Sequence, residues 1–526
     1  MDDDRIGQLI WAFISSDADI LVAETAARAG RISGVWLLPT QMANPVETAA
    51  LVNRLQAASP VPLLIGVDAE AGMGLVMGGA TYLPTAMALG ATGDPALVRQ
   101  AAALTAAEAR ACGINMVAAP VLDVNINPRN PIINTRSFGA SPELVAELGV
   151  AFVEGLQSPV AGKQDVLAIG KHFPGHGDTV ADSHLQLGVV DQPRSRLEAV
   201  ELPPFRAAIA ARAAMLMSAH VAYPALDPAP GLPATLSHPI MTNLLRDELG
   251  FQGALVTDCM NMHAVARNFE FGEATVLSVL AGCDLILTHQ WDLAYDALQD
   301  AFQGERLPEA RVTEAAARIE TIKRQLFGEG LPHPEPATPE QVRASVGTSA
   351  HQETAERIAA ASITLVQGTL TPPPARSVLI ATRMARRFGP SVETQLHAAL
   401  AAIGWDGVEM LMVDPSPDAA QTEKAVRESG AAGWAALLHF NQVASFDPDA
   451  VLVSEELIGL ARGITTAGTP LTVVSMGSPY ILPPFMGSTD ALLCTYSTSD
   501  ASLHALLRVV SGAAEPRGTL PVRLEL

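Results

Sequence analysis

From residue 34 to about 325 the chain alternates short apolar runs of β type with alanine-rich stretches of helical pattern, and no other feature limits its fold as strongly. The runs are "GVWLLP" (34–39), "PLLIGVD" (62–68), "INMVAAPVLDV" (114–124), "DVLAIGKHF" (165–173), "AAMLMSAH" (213–220), "GALVTD" (253–258) and "CDLILTH" (283–289). Apolar on both faces, they read as buried parallel strands. Helical patterns fall between them at 92–112, 142–156, 197–212, 238–249 and 273–281. Such alternation means an α/β fold, either a closed barrel or an open doubly wound sheet.

The polar residues favour the barrel. Asp68, Lys171, His172, His220 and Asp258 each stand where an apolar run ends, and Arg136 lies in the loop after another. In a (β/α)8 barrel those ends gather on one rim. An open sheet would use mainly the loops at its switch point, and no nucleotide fingerprint is found there. "GMGLVMGGA" (72–80) lacks both G-x-G-x-x-G and a Lys-Ser/Thr end, so it reads as a loop lining a pocket. The expected fold is therefore an N-terminal (β/α)8 barrel over 1–326. A proline-rich linker over 327–348, opening with "FGEGLPHPEPATPEQ", follows. A helical stretch (351–363) and runs at 377–382, 407–413, 434–440, 471–476 and 491–496 then predict a smaller α/β/α sandwich domain over 349–526.

Composition excludes several function classes. With 49% apolar and 17% charged residues the 526-residue chain has ample material for large cores. Its net charge of −22 repels nucleic acid and anionic membrane surfaces. Cys112, Cys259, Cys283 and Cys494 lack metal-ligand or redox spacing, which fits a reducing compartment. "MDDDRIGQLIWAFISS" opens with three aspartates where a signal peptide carries positive charge, and is read as the first amphipathic helix of a cytoplasmic protein. No run reaches the roughly 20 apolar residues that cross a bilayer.

The densest polar segment is "KHFPGHGDTVADSH" (171–184). Its histidines, His172, His176 and His184, fit three roles: metal ligands, acid–base groups, or supports of a rigid loop. Against a metal, their spacing is irregular and Pro174, Gly175 and Gly177 constrain two of them; no metal and no cofactor are expected. Asp182 and His184, two apart, would leave an extended loop on one side, where a carboxylate can fix an imidazole's tautomer; a casual surface pair is the competing reading. Asp258 is either a helix cap or an anionic nucleophile at the barrel mouth. Asp68, Arg136, Lys171 and His172 suit hydroxyl recognition, because each sugar hydroxyl both donates and accepts; singly, each also fits a buried ion pair.

Together with "GVDAEAG" (66–72), "APVLDVNINPRNPIINTRSFG" (119–139), "MSAHVAYPALDP" (217–228), "PATLS" (233–237) and "LRDELGFQGALVTDCMNM" (245–262), that segment closely resembles the family 3 glycoside hydrolases, and within them the bacterial β-N-acetylglucosaminidases with a His/Asp dyad. The likeness spans most of residues 1–325; the second domain matches only through 353–366 and 512–524. The resemblance implies a retaining enzyme that releases terminal β-linked N-acetylglucosamine, with Asp258 as nucleophile, His184 as acid/base and Asp182 orienting it. It also implies that Asp68, Arg136, Lys171 and His172 bind the sugar in the first subsite, which makes the 171–184 loop a mobile acid–base arm attached to a sugar clamp, with His176 holding the loop's shape, and it suggests a place in peptidoglycan recycling. The family's "DQEGGR" is "DAEAGMG" here, so Met73 stands where arginine is common, and Asn134 and Thr135 precede Arg136 where glycine is more usual. Relatives acting on glucosides take their acid/base from a second-domain glutamate, and the Asp-Ser-His segment argues against that group. Two alternatives stay open: a phosphorylase using phosphate as acceptor, and a sugar-binding protein without catalysis. The natural aglycone and the oligomeric state are not encoded in any motif.

Overall fold

Strands that are apolar on both faces need cover on both sides, and a closed barrel ringed by helices supplies it. In the computed structural model, which describes residues 4–159, 164–444 and 447–524, eight parallel strands meet this need. They are β1 (Ile10–Ile14), β2 (Gly34–Leu37), β3 (Leu64–Val67), β4 (Met116–Val117), β5 (Leu167–Phe173), β6 (Met215–Ser218), β7 (Ala254–Thr257) and β8 (Ile286–Thr288). Each pairs with its successor, β8 pairs with β1, and a parallel bridge between Val256 and Leu285 completes the ring.

The expected N-terminal helix is not formed. Asp4–Gly7 makes a single turn, Ile10–Ile14 becomes β1, and residues 1–3 lie outside the described residues. A five-residue apolar run has too few positions for its period to separate helix from strand. Pairing with β2 and β8 decides the matter, because without this strand the ring would stay open.

The barrel interior is filled by side chains from successive strands: Trp11, Trp36, Leu64, Met116, Leu167 and Met215 form one buried cluster with Val256 and Leu287. Trp11 and Trp36 meet edge to face with centroids 5.0 Å apart. They fit because Gly66 has no side chain: a Cβ there would lie 2.5 Å from one indole and 2.6 Å from the other. The Trp36 indole N–H then donates to Asp68 Oδ2 at 3.2 Å, so packing inside the barrel reaches the rim directly.

Helix Glu309–Phe327 closes the opposite end, adding Ile319, Ile322 and Leu326 to the same cluster. Buried Asp284 accepts from Arg246 (2.7 Å), Arg311 (2.7 Å) and Arg318 (3.1 Å) near that helix. The proline segment beyond it has no regular structure over 329–338. Within the span expected to be linker throughout, helix Pro339–Ser345 then forms, started by a Thr338/Gln341 capping box with Pro339 in its first turn. Buried Glu108 ties this region to the barrel. It accepts from the Thr81 amide (2.9 Å) and hydroxyl (2.7 Å) and the Gly347 amide (2.8 Å), and pairs with His351 Nδ1 (2.8 Å).

The second domain is a six-stranded sheet with helices on both faces. Its strands are β9 (Thr364–Gly368), β10 (Ser377–Thr382), β11 (Val408–Val413), β12 (Ala435–Phe440), β13 (Leu471–Met476) and β14 (Ala491–Cys494), ordered β9-β14-β13-β12-β10-β11. Only β9 runs antiparallel to its neighbour. Among the described residues no helix is long and apolar enough to cross a membrane.

Lys323 is buried under the barrel, donating to Gln8 Oε1 at 2.9 Å, and burial brings its pKa down to about 7. The folded protein therefore holds fewer protons than the unfolded chain between about pH 7 and the ordinary lysine range, and this group's contribution to stability rises with pH across that window. The slope it can add is at most about 1.4 kcal/mol per pH unit. Lys323→Met should flatten the rise, measured as urea-unfolding free energy at pH 7, 8 and 9. Equal slopes in both proteins would show that Lys323 is not desolvated.

Candidate functional site

Barrel closure brings the ends of β3, β5, β6 and β7 onto one rim, and the polar residues that terminate those runs meet there. In β5 the register with β6 shifts between Gly170 and Phe173, and this bulge presents Lys171 and His172 at the mouth. Lys171 is only 2% exposed, and its ammonium lies 2.7 Å from Asp68 Oδ1 and 2.5 Å from Glu70 Oε1. Arg136 grips Glu70 with two parallel bonds of 2.8 Å each and donates to the Ile132 carbonyl. Burial by itself would raise the Glu70 pKa, but the guanidinium and the ammonium hold it far below the usual carboxylate range. Two cations and two carboxylates thus form one fixed patch, of which Asp68, 45% exposed, is the open edge and Glu70, 11% exposed, the anchor.

His172 points its Nδ1 at Asp123 Oδ2 (2.7 Å), and Asp123 Oδ1 accepts the backbone amides of His172 (3.2 Å) and His176 (2.7 Å). Asp123 is fully buried; desolvation opposes its ionisation, yet the neighbouring imidazoles and the His176 amide keep its pKa low. Of the roles open to His176, supporting the loop matches its contacts: Nε2 meets Ser183 Oγ at 3.1 Å and Nδ1 meets Thr179 Oγ1 at 3.0 Å. Burial pushes its pKa down to about 4, so it stays neutral. Asn130 Nδ2 donates to the His176 carbonyl at 2.9 Å, fastening the same loop from the side.

Asp182 and His184 pair as expected, though not in an extended loop. Leu185 and Gln186 donate back to the Asp182 carbonyl, making a tight turn. One carboxylate oxygen, Oδ1, takes both the His184 amide (2.8 Å) and its Nδ1 (2.7 Å). Asp182 is 2% and His184 24% exposed, so the carboxylate is enclosed while the imidazole reaches outward. Because an ionised carboxylate only accepts, Nδ1 carries the proton in the neutral ring, and Nε2 is the ring nitrogen turned away from the carboxylate.

Asp258 follows β7. It does not cap the next helix, His263–Ala266, whose N-cap is Met262; instead its Oδ1 accepts the Cys259 amide at 2.7 Å. Burial would raise its pKa, but His220, His172 and His184 lie close enough to pull it below the ordinary aspartate value. It is therefore an ionised, partly accessible carboxylate ringed by imidazoles. His220 is held between Thr235 Oγ1 (2.8 Å) and the Cys259 carbonyl (3.1 Å). The Cys259 thiol is pushed up to about 12 by burial, so the cysteine beside Asp258 is not a thiolate nucleophile.

All seven residues singled out by sequence, Asp68, Arg136, Lys171, His172, Asp182, His184 and Asp258, thus lie in the loops and strand ends of this one rim. Glu70 and Asp123, the carboxylates that fix the cationic side chains and His172, were not foreseen. A signal existed for Glu70, which stands two positions after Asp68 in "DAEAG"; Asp123 ends an apolar run as Asp258 does. In the glycine-rich 72–80 loop, Met73, Val76 and Met77 are buried in the core. Among the described residues no group of three His, Cys, Asp or Glu side chains is placed to hold a metal ion. A rim with fixed donors and acceptors on one side, and an ionised carboxylate and an oriented imidazole on the other, fits acid–base and nucleophilic work on a polyhydroxylated substrate.

Known proteins share this arrangement of sequence and fold. The profile of the glycosyl hydrolase family 3 N-terminal domain matches residues 3–322. Beta-hexosaminidase A of Pseudoalteromonas piscicida is 30% identical, over 93% of this chain and 89% of that protein. A beta-N-acetylglucosaminidase/beta-glucosidase of Cellulomonas fimi is 31% identical over 99% of this chain and 93% of its own length. Among solved structures, a family 3 beta-N-acetylglucosaminidase from Paenibacillus sp. str. FPU-7 superposes with a TM-score of 0.86 at 33% identity, covering 99% of this chain and 98% of that one. The chain belongs to glycoside hydrolase family 3 and is a glycoside hydrolase of the β-N-acetylhexosaminidase type.

Proposed function

We propose that the protein is a retaining, exo-acting β-N-acetylglucosaminidase that works through a covalent glycosyl-enzyme. The observation that carries this reading is the enclosed Asp182–His184 pair set in the same electrostatic neighbourhood as the ionised Asp258. The names of the relatives from C. fimi and Paenibacillus supply the sugar.

In the first step a carboxylate oxygen of Asp258 attacks the anomeric carbon, the bond from that carbon to the leaving oxygen breaks, and His184 Nε2 gives that oxygen its proton. In the second step the same nitrogen takes a proton from water, the water oxygen bonds to the anomeric carbon, and the Asp258 ester bond breaks. Asp182 holds the ring through both steps and balances the imidazolium, as a triad carboxylate does. His220 keeps the Cys259 carbonyl, and with it the turn bearing Asp258, in place. Asp68, Lys171, Arg136 and His172 hold the sugar hydroxyls, with Glu70 and Asp123 fixing their positions.

Asp258→Ala should cost at least ~10³-fold in kcat, the scale on which removing a covalent nucleophile acts; activity within tenfold of the parent would end the assignment. His184→Ala should cost less for an aryl glycoside with a good leaving group than for one with a poor leaving group, compared as kcat/KM. Equal losses would show that His184 is not the general acid. Running both assays with and without phosphate, and looking for N-acetylglucosamine 1-phosphate, distinguishes hydrolysis from phosphorolysis.

The two carboxylates on Lys171 should separate by burial. Glu70→Gln takes from Arg136 its two-pronged carboxylate partner and from buried Lys171 one of its two, and should lower unfolding free energy by about 3 kcal/mol. Asp68→Asn, at the open edge, should change stability by less than about 1 kcal/mol while raising KM. Urea unfolding paired with steady-state kinetics reads both quantities, and equal stability losses would contradict the division into anchor and edge.

A further inference from the structure

We propose that the second domain is a positioning element for sugar binding: it clamps the barrel loop that carries Arg136, with Tyr480 and Val443 as its contact residues. The inference rests on the reading of Arg136 as a sugar ligand.

The ends of β12 and β13 face the barrel mouth. After β12, Asn441 turns the chain and its Oδ1 accepts the Ser478 amide at 2.6 Å, binding the two strand ends into one unit. From that unit Val443 packs on a small apolar cluster made by Val121, Ile132 and Ile133. From the neighbouring turn, the Tyr480 hydroxyl accepts from Asn125 Nδ2 at 2.9 Å. Asn125 is buried, and its Oδ1 accepts the Asn134 amide at 3.2 Å. Asn134 opens the short helical turn Asn134–Arg136 with φ of 42°, a left-handed conformation that asparagine adopts more readily than most other residues, and its amide is held by Asn125. Past the turn, the Pro521 carbonyl accepts the Ala140 amide at 3.0 Å and packs where a side chain on Gly139 would have to stand. The second domain, through these residues and its C-terminal segment, therefore holds the loop at its middle and at both ends.

This support reaches the guanidinium. Arg136 Nη1 donates to the carbonyl of Ile132, a member of the cluster on which Val443 packs, while its other nitrogens hold Glu70. If the loop shifts, the guanidinium must leave either the Ile132 carbonyl or the Glu70 carboxylate. The effect expected is on ground-state affinity, because Arg136 stands on the Lys171 side of the rim and not among the groups around Asp258.

The test is a double-mutant cycle on the full chain with an aryl N-acetyl-β-glucosaminide, reading KM, kcat, the inhibition constant of N-acetylglucosamine and the melting temperature. Tyr480→Phe removes one hydroxyl. It should raise KM and the inhibition constant about threefold to tenfold, the scale of one hydrogen bond, with kcat within twofold. Val443→Ala should show the same split. When Tyr480→Phe is added to Arg136→Ala, the further change in KM should be less than twofold. An unchanged KM for Tyr480→Phe alone, or the same penalty with and without Arg136, overturns the inference and leaves the hydrolase reading standing. If Arg136→Ala itself leaves KM unaltered, the sugar-ligand reading of Arg136 fails and the inference falls with it. A fall in kcat and melting temperature with KM unmoved would show a merely structural contact, and also overturns it.

Discussion

A lysine ammonium withdrawn from water is tolerable only when its charge is met at close range, and at the barrel mouth Lys171 is met twice, by Asp68 and Glu70. Glu70 in turn is balanced by the two-pronged grip of Arg136. The arrangement constrains much that surrounds it. It requires β3 and β5 to end at one level, the β5 bulge to aim Lys171 inward, and the 125–136 loop to return over the mouth. Satisfied, such a network is rigid; with Glu70 removed, Arg136 loses its carboxylate and Lys171 keeps only the half-exposed Asp68. That is a suitable floor for sugar recognition, where donors and acceptors must stand ready before the ligand arrives.

The opposite side of the rim works by different physics. Asp258 is kept ionised by surrounding imidazoles despite the cost of burial, and His184 is held by one oxygen of an enclosed carboxylate. In the mechanism we propose, binding and chemistry occupy separate electrostatic environments: paired full charges that hold still, and a carboxylate–imidazole set that can exchange a proton. His172 joins the two, since it lies beside Lys171 in the chain, is fixed by Asp123, and contributes to the field at Asp258. The second domain touches the binding side, through Tyr480 at Asn125 and Val443 on the Ile132–Ile133 cluster.

Much of this was legible in the residues. Alternating apolar runs and helical stretches specified the α/β class, and polar residues at run ends favoured a barrel that gathers them on one rim, because strand period and chain punctuation are properties of neighbours. The Asp-Ser-His segment disclosed its pair, two positions apart. Where local signal was thin the reading failed. "IWAFI" looked like part of a helix and is β1, and the span after Phe327 hides a short helix begun by a Thr338–Gln341 capping box.

The sequence by itself determined the barrel, the seven polar residues of its rim and the dyad, since each is written in a periodicity or a motif a few residues long. Tertiary structure alone decided which carboxylate anchors which cation, that Asp258 faces imidazoles rather than capping a helix, and that the second domain reaches the Arg136 loop. The physical reason is distance along the chain. Arg136 meets a partner 66 positions away, Lys171 one 103 away and Tyr480 one 355 away. A buried charge or hydroxyl takes whichever partner the closed fold brings within 3 Å or so, and no local pattern records that choice.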